Sequence, residues 1–261
     1  MFEVNKEAEM LLKDKVCVVT GGANGIGKGI AVSMAKEGAH IGIIDLNEAE
    51  GKKTLEEIKG YGVNGTYAKG DVTDMESLEK AKQEIVRDLG KVDILVVNAG
   101  ISYKHSFEKV SVEEWKRVID INLSGSFYTV KVFLNTLLEK DEDARKSIIF
   151  ITSGSAFTGG GGGVHYTASK SGQHGLMRAL AKEYGKIGIN VNAIAPRVIA
   201  TEILDQLYPD EKSREQLIEQ IPIRRIGQPE DIGNLACFLA SDKASYIHGQ
   251  IILMDGGRTF Q

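Results

Sequence analysis

Three residues of this chain have the types and the spacing of an acid–base catalyst. Tyr166 and Lys170 stand four residues apart, and Ser153 precedes Tyr166 by thirteen positions. In a helix, residues i and i+4 lie on the same face, so an ammonium group and a phenol at this spacing can share one pocket. A tyrosine that titrates near pH ~10 needs roughly 4 kcal/mol of preferential phenolate stabilisation to act as a base near pH ~7. A neighbouring ammonium group in a partly desolvated site supplies much of that energy.

A glycine-rich turn follows the first apolar run of the sequence. The segment from Thr20 to Gly27 has the sequence TGGANGIG, follows a predicted strand and opens directly into a predicted helix. Glycines in such a turn let the backbone approach a pyrophosphate, and the free N–H groups at the helix start face the anion. The spacing Gly-x-x-x-Gly-x-Gly is a variant of the dinucleotide-binding fingerprint. The order of strand, turn and helix therefore predicts a dinucleotide site.

The residue at the end of the second predicted strand discriminates between two cofactors. Asp45 stands eighteen residues after Gly27, where a carboxylate can accept both hydroxyls of an adenosine ribose and repel a 2′-phosphate. Neither Asn24 nor Leu46 supplies a cation for such a phosphate. The sequence therefore favours NAD over NADP. The alternative is that Asp45 serves only as a turn or helix-start carboxylate, although Asn47 can cap the next helix equally well.

Composition excludes several classes of protein. The 261 residues are 42% hydrophobic and 26% charged, enough for the full core of a single domain that we expect over 1–261. A formal charge of −4 provides no basic field for phosphate backbones, so no nucleic-acid partner is expected. Cys17 and Cys237 lie in apolar patterns without metal-ligand spacing, which predicts buried thiols, a reducing compartment and no metal site. The charged N-terminal extension, residues 1–13, lacks a signal-peptide core, and no apolar run is long enough to cross a membrane, so we expect a soluble cytoplasmic protein.

Short apolar runs alternate with amphipathic stretches along most of the sequence. Within each run, apolar residues stand at consecutive positions rather than at every second position. This pattern is typical of strands that are covered on both faces. We therefore predict an α/β fold, a single doubly wound Rossmann-type domain whose seven-stranded parallel sheet carries helices on both faces. The charged cluster from Glu139 to Lys146 is predicted to be a solvated loop before the fifth strand. The predicted strands are 15–20, 40–45, 65–70, 92–97, 147–152, 188–194 and 249–254. The predicted helices are 26–37, 48–59, 75–89, 112–138, 165–185, 203–219 and 229–240.

In order and spacing, these motifs resemble those of the short-chain dehydrogenase/reductase family over nearly the whole chain. The matching elements are the Thr20–Gly27 loop, Asp71-Val72, Asn98-Ala99-Gly100, Asn122, Ser153, Tyr166 with Lys170, Pro196, Thr201 and Asp255-Gly256-Gly257. The resemblance implies an oxidoreductase that interconverts a secondary alcohol and a ketone by hydride transfer on a small-molecule substrate. It also implies a homotetramer formed through long helices and the C-terminal segment. Candidate contacts are Leu176, Leu180, Ile251, Ile252 and Phe260.

The resemblance implies a role for each matched residue. Tyr166 is the general acid/base, and Lys170 lowers its pKa and holds the nicotinamide ribose. Ser153 binds the substrate oxygen, and Asn122 supports a proton-relay water. Asn122 lies in the middle of a predicted helix, an unfavourable place for asparagine that favours a functional reason. Together the motifs and the resemblance indicate these cofactor-binding residues: Gly21, Asn24, Gly25, Ile26, Gly27, Asp45, Leu46, Asp71, Val72, Asn98, Ala99, Gly100, Tyr166, Lys170, Pro196, Val198 and Thr201.

Three features depart from the family pattern, of which Val97, where the family often has a second asparagine, is a minor one. Arg197 follows Pro196, where the family usually has glycine. A guanidinium at this position binds an anionic group of the substrate, points to solvent or pairs with Glu202, and the sequence leaves these alternatives open. Five consecutive glycines, Gly159 to Gly163, predict a mobile loop on the substrate side.

The substrate itself is not determined by the sequence. Pocket residues are expected in Ser102–Phe107, in Ser155–His165 and in a predicted lid over 198–222, and His165 is either a helix-start residue or a substrate contact. Polyols, sugar derivatives and hydroxysteroids all fit an NAD-dependent dehydrogenase. One alternative is a 3-oxoacyl-thioester reductase, which the expected aversion of Asp45 to NADP disfavours. Another is a non-catalytic dinucleotide sensor, which has no need for a proton acceptor such as Tyr166.

Overall fold

A single parallel sheet organises the computed structural model, which describes residues 10–139, 145–201, 204, 208 and 210–260. The strands are β1 Val16–Thr20, β2 His40–Asp45, β3 Gly65–Lys69, β4 Ile94–Val97, β5 Lys146–Ile151, β6 Ile189–Pro196 and β7 Ile251–Met254. Their order is β3-β2-β1-β4-β5-β6-β7 and every pairing is parallel. The predicted seven-stranded, doubly wound sheet is therefore confirmed.

Helices connect the strands and cover both faces. They are α1 Gly25–Lys36, α2 Glu48–Lys59, α3 Met75–Leu89, α4 Val112–Ile119, α5 Gly125–Leu138, α6 Ser155–Thr158, α7 Val164–Tyr184, α8 Glu211–Glu219 and α9 Pro229–Ala240. In the part of the chain that the structure describes, none of them has the length and apolar character that crossing a membrane requires.

Each face of the sheet has its own core. In β1, Val18 belongs to the core shared with α3, α5 and α7, whereas Cys17 and Val19 belong to the core shared with α1 and α9. Side chains alternate between the faces of a strand, so a sheet covered on both sides needs apolar residues at every position. Cys17 and Cys237 are free and buried, as predicted.

Polar residues just before the helices explain why several predicted boundaries agree with the structure. The side chains of Asn47, Asp74 and Asp210 accept backbone N–H groups at the starts of α2, α3 and α8, which satisfies donors that have no partner within the helix. A reciprocal capping box begins α9. Helices α2, α3 and α9 span the residues that the sequence predicts.

The predicted helix 112–138 is not uniform. A π-helical turn, Asp120–Ser124, separates α4 from α5 and contains the buried Asn122. Such single-turn π segments insert a residue into the helix and often occur at functional sites. The predicted helix 203–219 is interrupted, since Leu204 is helical but Tyr208 and Asp210 lie in bends, and α8 begins at Glu211, after the Asp210 cap. Residues 202, 203, 205–207 and 209 lie outside the described part of the chain.

The expectation of a solvated loop from Glu139 to Lys146 is wrong at its last residue. Lys146 begins β5 and is only 4% exposed, because its Nζ donates to Asp93 Oδ1 at 2.8 Å and to the carbonyl oxygen of Val92. Asp93 is also buried, and its Oδ2 accepts the N–H of Val16 at 2.9 Å. This ion pair joins the amino ends of β1, β4 and β5, at the edge of the sheet opposite the carboxyl ends.

We predict that breaking this ion pair destabilises the fold more than removing both charges does. Asp93→Asn or Lys146→Met should each lower the free energy of unfolding by about 3 to 5 kcal/mol, because each leaves one charge buried without its partner. The double variant should lose less than the sum of the two. Urea denaturation measures these changes, and Glu48→Gln, which removes the exposed pair with Lys52, is the control that should leave the midpoint unchanged.

Candidate active site

A cavity of about 970 Å³ opens at the carboxyl ends of the central strands. The strand order changes direction between β1 and β4, and ligands of doubly wound sheets bind in the crevice that this change creates. The structure places most of the predicted site residues in its wall. They are Gly21, Asn24, Gly25, Ile26, Gly27, Asp45, Leu46, Asp71, Val72, Asn98, Ala99, Gly100, Tyr166, Lys170 and Thr201.

Further residues of the wall were not predicted. They are Ile44, Gly70, Thr73, Ile101, Glu113, Lys116, Arg117, Asp120, Ile121, Ile151 and Thr152, whereas Ser102, which also lies in the wall, belongs to the predicted pocket segment Ser102–Phe107. Ile44, Ile151 and Thr152 lie at the carboxyl ends of β2 and β5. Ligands of doubly wound sheets bind at these strand ends, so the positions of these residues in the sequence could have identified them. The residues of α4 and the π turn carry no such signal, because their position depends on how that helix crosses the sheet.

The glycine-rich turn is compact and internally braced. Gly21 has a φ of +65°, and a Cβ at Gly27 would lie 2.0 Å from the carbonyl oxygen of Gly21, so no larger residue fits there without moving the backbone. Asn98 Nδ2 donates to the carbonyl oxygens of Thr20 and Gly21, both at 3.0 Å. Asn98 therefore joins the end of β4 to the turn after β1.

The start of α1 fits an anion. Asn24 precedes the helix, but its side chain makes no capping hydrogen bond, and the first turn contains no acidic residue. The unpaired N–H groups and the positive end of the helix dipole therefore face the cavity without a competing carboxylate. These features, with the close approach at Gly27, fit the pyrophosphate of a dinucleotide.

Asp45 braces the same turn, and its carboxylate can still accept further hydrogen bonds. Its Oδ2 accepts the N–H of Ala23 at 3.0 Å, and its Oδ1 accepts the N–H of Asn47 at 2.9 Å. The cap of α2 is Asn47, whose side chain accepts the N–H of Glu50. Each carboxylate oxygen can accept more than one hydrogen bond, so Asp45 still has lone pairs for ribose hydroxyls at the cavity wall.

Tyr166 and Lys170 lie on successive turns of α7. Lys170 Nζ lies 5.7 Å from the centre of the Tyr166 ring and donates to the carbonyl oxygen of Ile151 at 2.9 Å. Burial lowers the pKa of Lys170 to about 8. Burial also raises the pKa of Tyr166, while a hydrogen bond with Ser153 acts in the opposite direction. The net pKa of Tyr166 is raised, which differs from the expectation that Lys170 lowers it, because loss of solvent opposes both charged forms.

Asn122 connects two segments that border the cavity. Its Nδ2 donates to the carbonyl oxygen of Ile101 at 2.9 Å and to Ser169 Oγ at 3.0 Å, and its Oδ1 accepts the N–H of Ile101 at 2.8 Å. Its own carbonyl oxygen accepts from Ser126 Oγ and Gln173 Nε2. These contacts show that Asn122 braces Ile101 and Ser169, and its expected role in supporting a relay water stays a prediction.

Four predicted residues lie away from the wall of the large cavity. Asn122 is fully buried, Ser153 is buried and hydrogen-bonded to Tyr166, and Pro196 ends β6, where it pairs with Met254. Val198 lines a second cavity of about 110 Å³ and has a φ of +60°, a strained conformation for a β-branched residue.

Arg197 also lines the second cavity. Its Nη1 donates to Thr259 Oγ1 at 3.0 Å, a contact with the C-terminal segment that none of the three sequence alternatives included. Glu202, its candidate partner, lies outside the described residues. Burial lowers the pKa of Arg197, and the nearby Arg258 acts in the same direction.

His165 is a helix-start residue rather than an exposed ligand contact. It is fully buried, its Nδ1 accepts the N–H of Tyr166 at 2.8 Å, and its Nε2 lies 2.7 Å from Glu114 Oε1. Sequence reasoning missed Glu114, because Ser111-Val112-Glu113-Glu114 has the pattern of an ordinary helix start.

The loop from Gly159 to Gly163 leads from α6 to α7. Gly159 ends α6 with a φ of +72°, and Gly161 has a φ of +102°. Gly163 is buried and its N–H donates to the carbonyl oxygen of Tyr103 at 2.9 Å. The glycines therefore allow left-handed turns at one end and a close approach to the loop after β4 at the other.

Comparison with known proteins defines the class of this one. The family whose model matches residues 21–259 is a short-chain dehydrogenase family described as enoyl-(acyl carrier protein) reductase. L-rhamnose 1-dehydrogenase (NAD(P)(+)) of Azotobacter vinelandii is 36% identical over 252 residues, which cover 95% of this chain and 98% of that protein. The 3-oxoacyl-[acyl-carrier-protein] reductase FabG of Staphylococcus aureus is 37% identical over 244 residues, 93% of this chain and 97% of that protein.

A solved structure agrees with these relatives. Levodione reductase superposes with a TM-score of 0.88 and 30% sequence identity, over 95% of this chain and 98% of that chain. The fold, the site and these similarities define an oxidoreductase that acts on CH–OH groups and their carbonyl counterparts. The chain belongs to the short-chain dehydrogenase/reductase family.

Proposed function

We propose that the chain is an NAD-dependent dehydrogenase of a secondary alcohol, in which Tyr166 is the general acid/base. The observation that carries this proposal is the position of Tyr166 and Lys170 in the wall of the same cavity as the glycine-rich turn. A proton acceptor and a dinucleotide site in one crevice are what hydride removal from an alcohol requires. The same residues act in reverse on a ketone.

The chemistry follows from the proton that must leave. In oxidation, the Tyr166 phenolate accepts the hydroxyl proton of the substrate, and Ser153 donates a hydrogen bond to the oxygen as negative charge develops on it. A nicotinamide held in this crevice would supply the hydride acceptor, and its positive ring would favour the phenolate. Lys170 adds a second positive charge on the same face of α7. These two charges oppose the burial that raises the pKa of Tyr166.

The preference for NAD rests on Asp45. Its carboxylate lines the cavity beside Leu46 and is held in place by two backbone N–H groups. A 2′-phosphate at this position would meet a fixed negative charge and no cation from Leu46. NAD is therefore the proposed cofactor, although the rhamnose dehydrogenase named above is described as using NAD(P)(+).

A sugar or another small polar alcohol is the proposed substrate class, supported by the similarity to L-rhamnose 1-dehydrogenase. The second candidate is reduction of a 3-oxoacyl thioester, favoured by the similarity to FabG over 93% of this chain. Asp45 weighs against that candidate to the extent that the reaction requires NADPH. Both candidates use the same acid/base, so the preferred cofactor and substrate distinguish them.

The remaining proposals concern the assembly. We propose one domain over 1–261, a cytoplasmic location and a homotetramer. Support for assembly comes from β7, an edge strand of the sheet, and from Phe260, which is 83% exposed. Of the other candidate contacts, Leu176, Leu180, Ile251 and Ile252 are partly buried against the core.

The acid/base assignment predicts the effect of Tyr166→Phe. The variant should lose at least about 100-fold in kcat, because it removes the proton acceptor, and should bind NADH as wild type does. Turnover is followed by the absorbance of the reduced nicotinamide. The assays are oxidation of L-rhamnose with NAD, reduction of levodione with NADH, and reduction of a 3-oxoacyl thioester with NADH or NADPH. Tyr184→Phe removes a phenol from the same helix and is the control. A Tyr166→Phe enzyme with more than about a tenth of the wild-type rate would contradict the acid/base assignment. If the wild-type protein turned over none of these substrates, the non-catalytic dinucleotide sensor would be favoured instead.

The cofactor assignment predicts a change of preference. Asp45→Ala with Leu46→Arg should shift kcat/KM from NAD toward NADP, because the repulsion is removed and a phosphate partner is added. Leu46→Arg alone should shift it less, since Asp45 remains. The measurement is the ratio of kcat/KM values for the two cofactors. Wild-type enzyme that turns over NADP as well as NAD would refute the assignment.

The proposed assembly predicts a mass of about four times 28.4 kDa by light scattering at micromolar concentration. Phe260→Asp should weaken the tetramer, because it places a charge on an apolar contact. Met75→Asp, at an exposed position on α3, is the matched control and should leave the mass unchanged. A monomeric wild-type mass would exclude the proposed assembly.

A further inference from the structure

The carboxylate of Glu114 joins two histidines from different parts of the chain. Glu114 Oε1 lies 2.7 Å from His165 Nε2, and its two oxygens lie 3.0 and 2.9 Å from His105 Nδ1. The hydrogen bond with His165, followed by that with His105, outweighs partial burial and lowers the pKa of Glu114. A carboxylate that accepts from two ring nitrogens makes strong hydrogen bonds. These bonds join α4, the loop after β4 and the start of α7.

Glu114 is not used as its local sequence would suggest. Ser111 Oγ accepts the N–H of Glu114 at 3.0 Å and so caps α4. In a full capping box the glutamate would reach back to the N–H of the serine. Among the hydrogen bonds of the described residues, that return bond does not occur, and the carboxylate turns toward the histidines instead.

The inner histidine is a link between Glu114 and the helix that carries Tyr166. Because His165 Nδ1 accepts the N–H of Tyr166, its proton must be on Nε2, which donates to Glu114. The ring is fully buried, so its orientation is set by these two partners. The backbone of Tyr166 is therefore tied to α4 through one side chain.

The outer histidine connects the same carboxylate to the loop after β4. The ring of His105 stacks on Tyr103 with centroids 6.3 Å apart, and Tyr103 also lies 6.2 Å from His165. The carbonyl oxygen of Tyr103 accepts the N–H of Gly163. The loop after β4 and the glycine loop before α7 therefore meet beside Glu114.

A parallel connection lies on the other side of Tyr166. Asn122, eight residues after Glu114, binds both polar backbone groups of Ile101 and the hydroxyl of Ser169. Ser169 Oγ in turn donates to the carbonyl oxygen of Tyr166 at 2.8 Å. The N–H of Tyr166 is thus tied to Glu114 and its carbonyl oxygen to Asn122, each through one intermediate side chain of α7.

We propose that Glu114 is a positioning residue, which sets the placement of Tyr166 through His165 and the placement of the substrate-side loop through His105. The inference rests on the proposed function of Tyr166 and extends it to a residue outside the catalytic group. The contacts of Glu114 with His165 and with His105, here called the His165 arm and the His105 arm, have separable consequences. The His165 arm acts on the acid/base, and the His105 arm acts on the loop that precedes α4.

Kinetics of variants test the two arms. Glu114→Ala should lower kcat by about tenfold or more, since small displacements of a reacting group have effects of this size. Glu114→Gln keeps one acceptor oxygen and should fall between Ala and wild type. His105→Ala leaves the His165 arm in place and should raise KM for the substrate roughly fivefold with kcat within about twofold. The probe is whichever of L-rhamnose, levodione and the 3-oxoacyl thioester gives the highest wild-type kcat/KM.

A control and an active-site count separate positioning from stability. Glu108→Gln removes a charge from an exposed residue near His105 and should leave kcat and KM unchanged. Titration with NADH counts folded sites, so that kcat is expressed per site. Wild-type kcat per site in Glu114→Ala would overturn the proposal. If Glu114→Ala does not fold, Glu114→Gln and His105→Ala carry the test, and wild-type values of kcat and KM in both would overturn it.

A measurement without turnover distinguishes this inference from the proposed function. Amide hydrogen exchange in Glu114→Ala should accelerate at 101–107 and at 164–168, but not in the turn 20–27. That result would support the Glu114 connection even if Tyr166→Phe showed that the acid/base assignment is wrong. Unchanged exchange in both segments, with Tyr166→Phe inactive, would overturn only the role of Glu114.

Discussion

The parallel pairing of β1 with β4 is the constraint on which the rest of the structure depends. Cys17, Val18 and Val19 pair with Ile94, Leu95 and Val96, while the other side of β1 pairs with β2. Successive strands therefore extend the sheet in opposite directions from β1, and the connections leave a crevice between them. The buried Asp93–Lys146 pair joins β1, β4 and β5 at their amino ends, on the side of the sheet opposite the cavity.

The site contains two buried groups, Tyr166 and Lys170, whose charged forms are destabilised by loss of solvent. Burial raises the pKa of Tyr166 and lowers that of Lys170 to about 8, so neither phenolate nor ammonium is favoured by the surroundings alone. Such opposed shifts are common where acid–base chemistry occurs. The proposed mechanism uses the charge of the bound cofactor to favour the phenolate, which couples cofactor binding to the strength of the base.

The segment from α4 through the π turn contacts both α7, which carries Tyr166 and Lys170, and the loop after β4. Asn122 binds Ile101 and Ser169, and Glu114 binds His105 and His165. A regular α-helix repeats every 3.6 residues, and the π turn inserts a residue that changes the direction of the side chains after it. The cavity wall also includes residues of this segment, so the same segment contacts α7 and forms part of the pocket.

The sequence by itself determined the parts of the protein that depend on local patterns. Continuous apolar runs predicted the seven strands, amphipathic stretches predicted helices such as α2 and α3, and Gly27 with Asp45 predicted the crevice wall. Tertiary structure decided the rest, because burial and partner choice depend on residues distant in sequence. Lys146 looks like a solvated lysine until β5 places it against Asp93, which is 53 residues away. Glu114 looks like a helix cap until α7 brings His165 to its carboxylate across 51 residues, and no local pattern records such a contact.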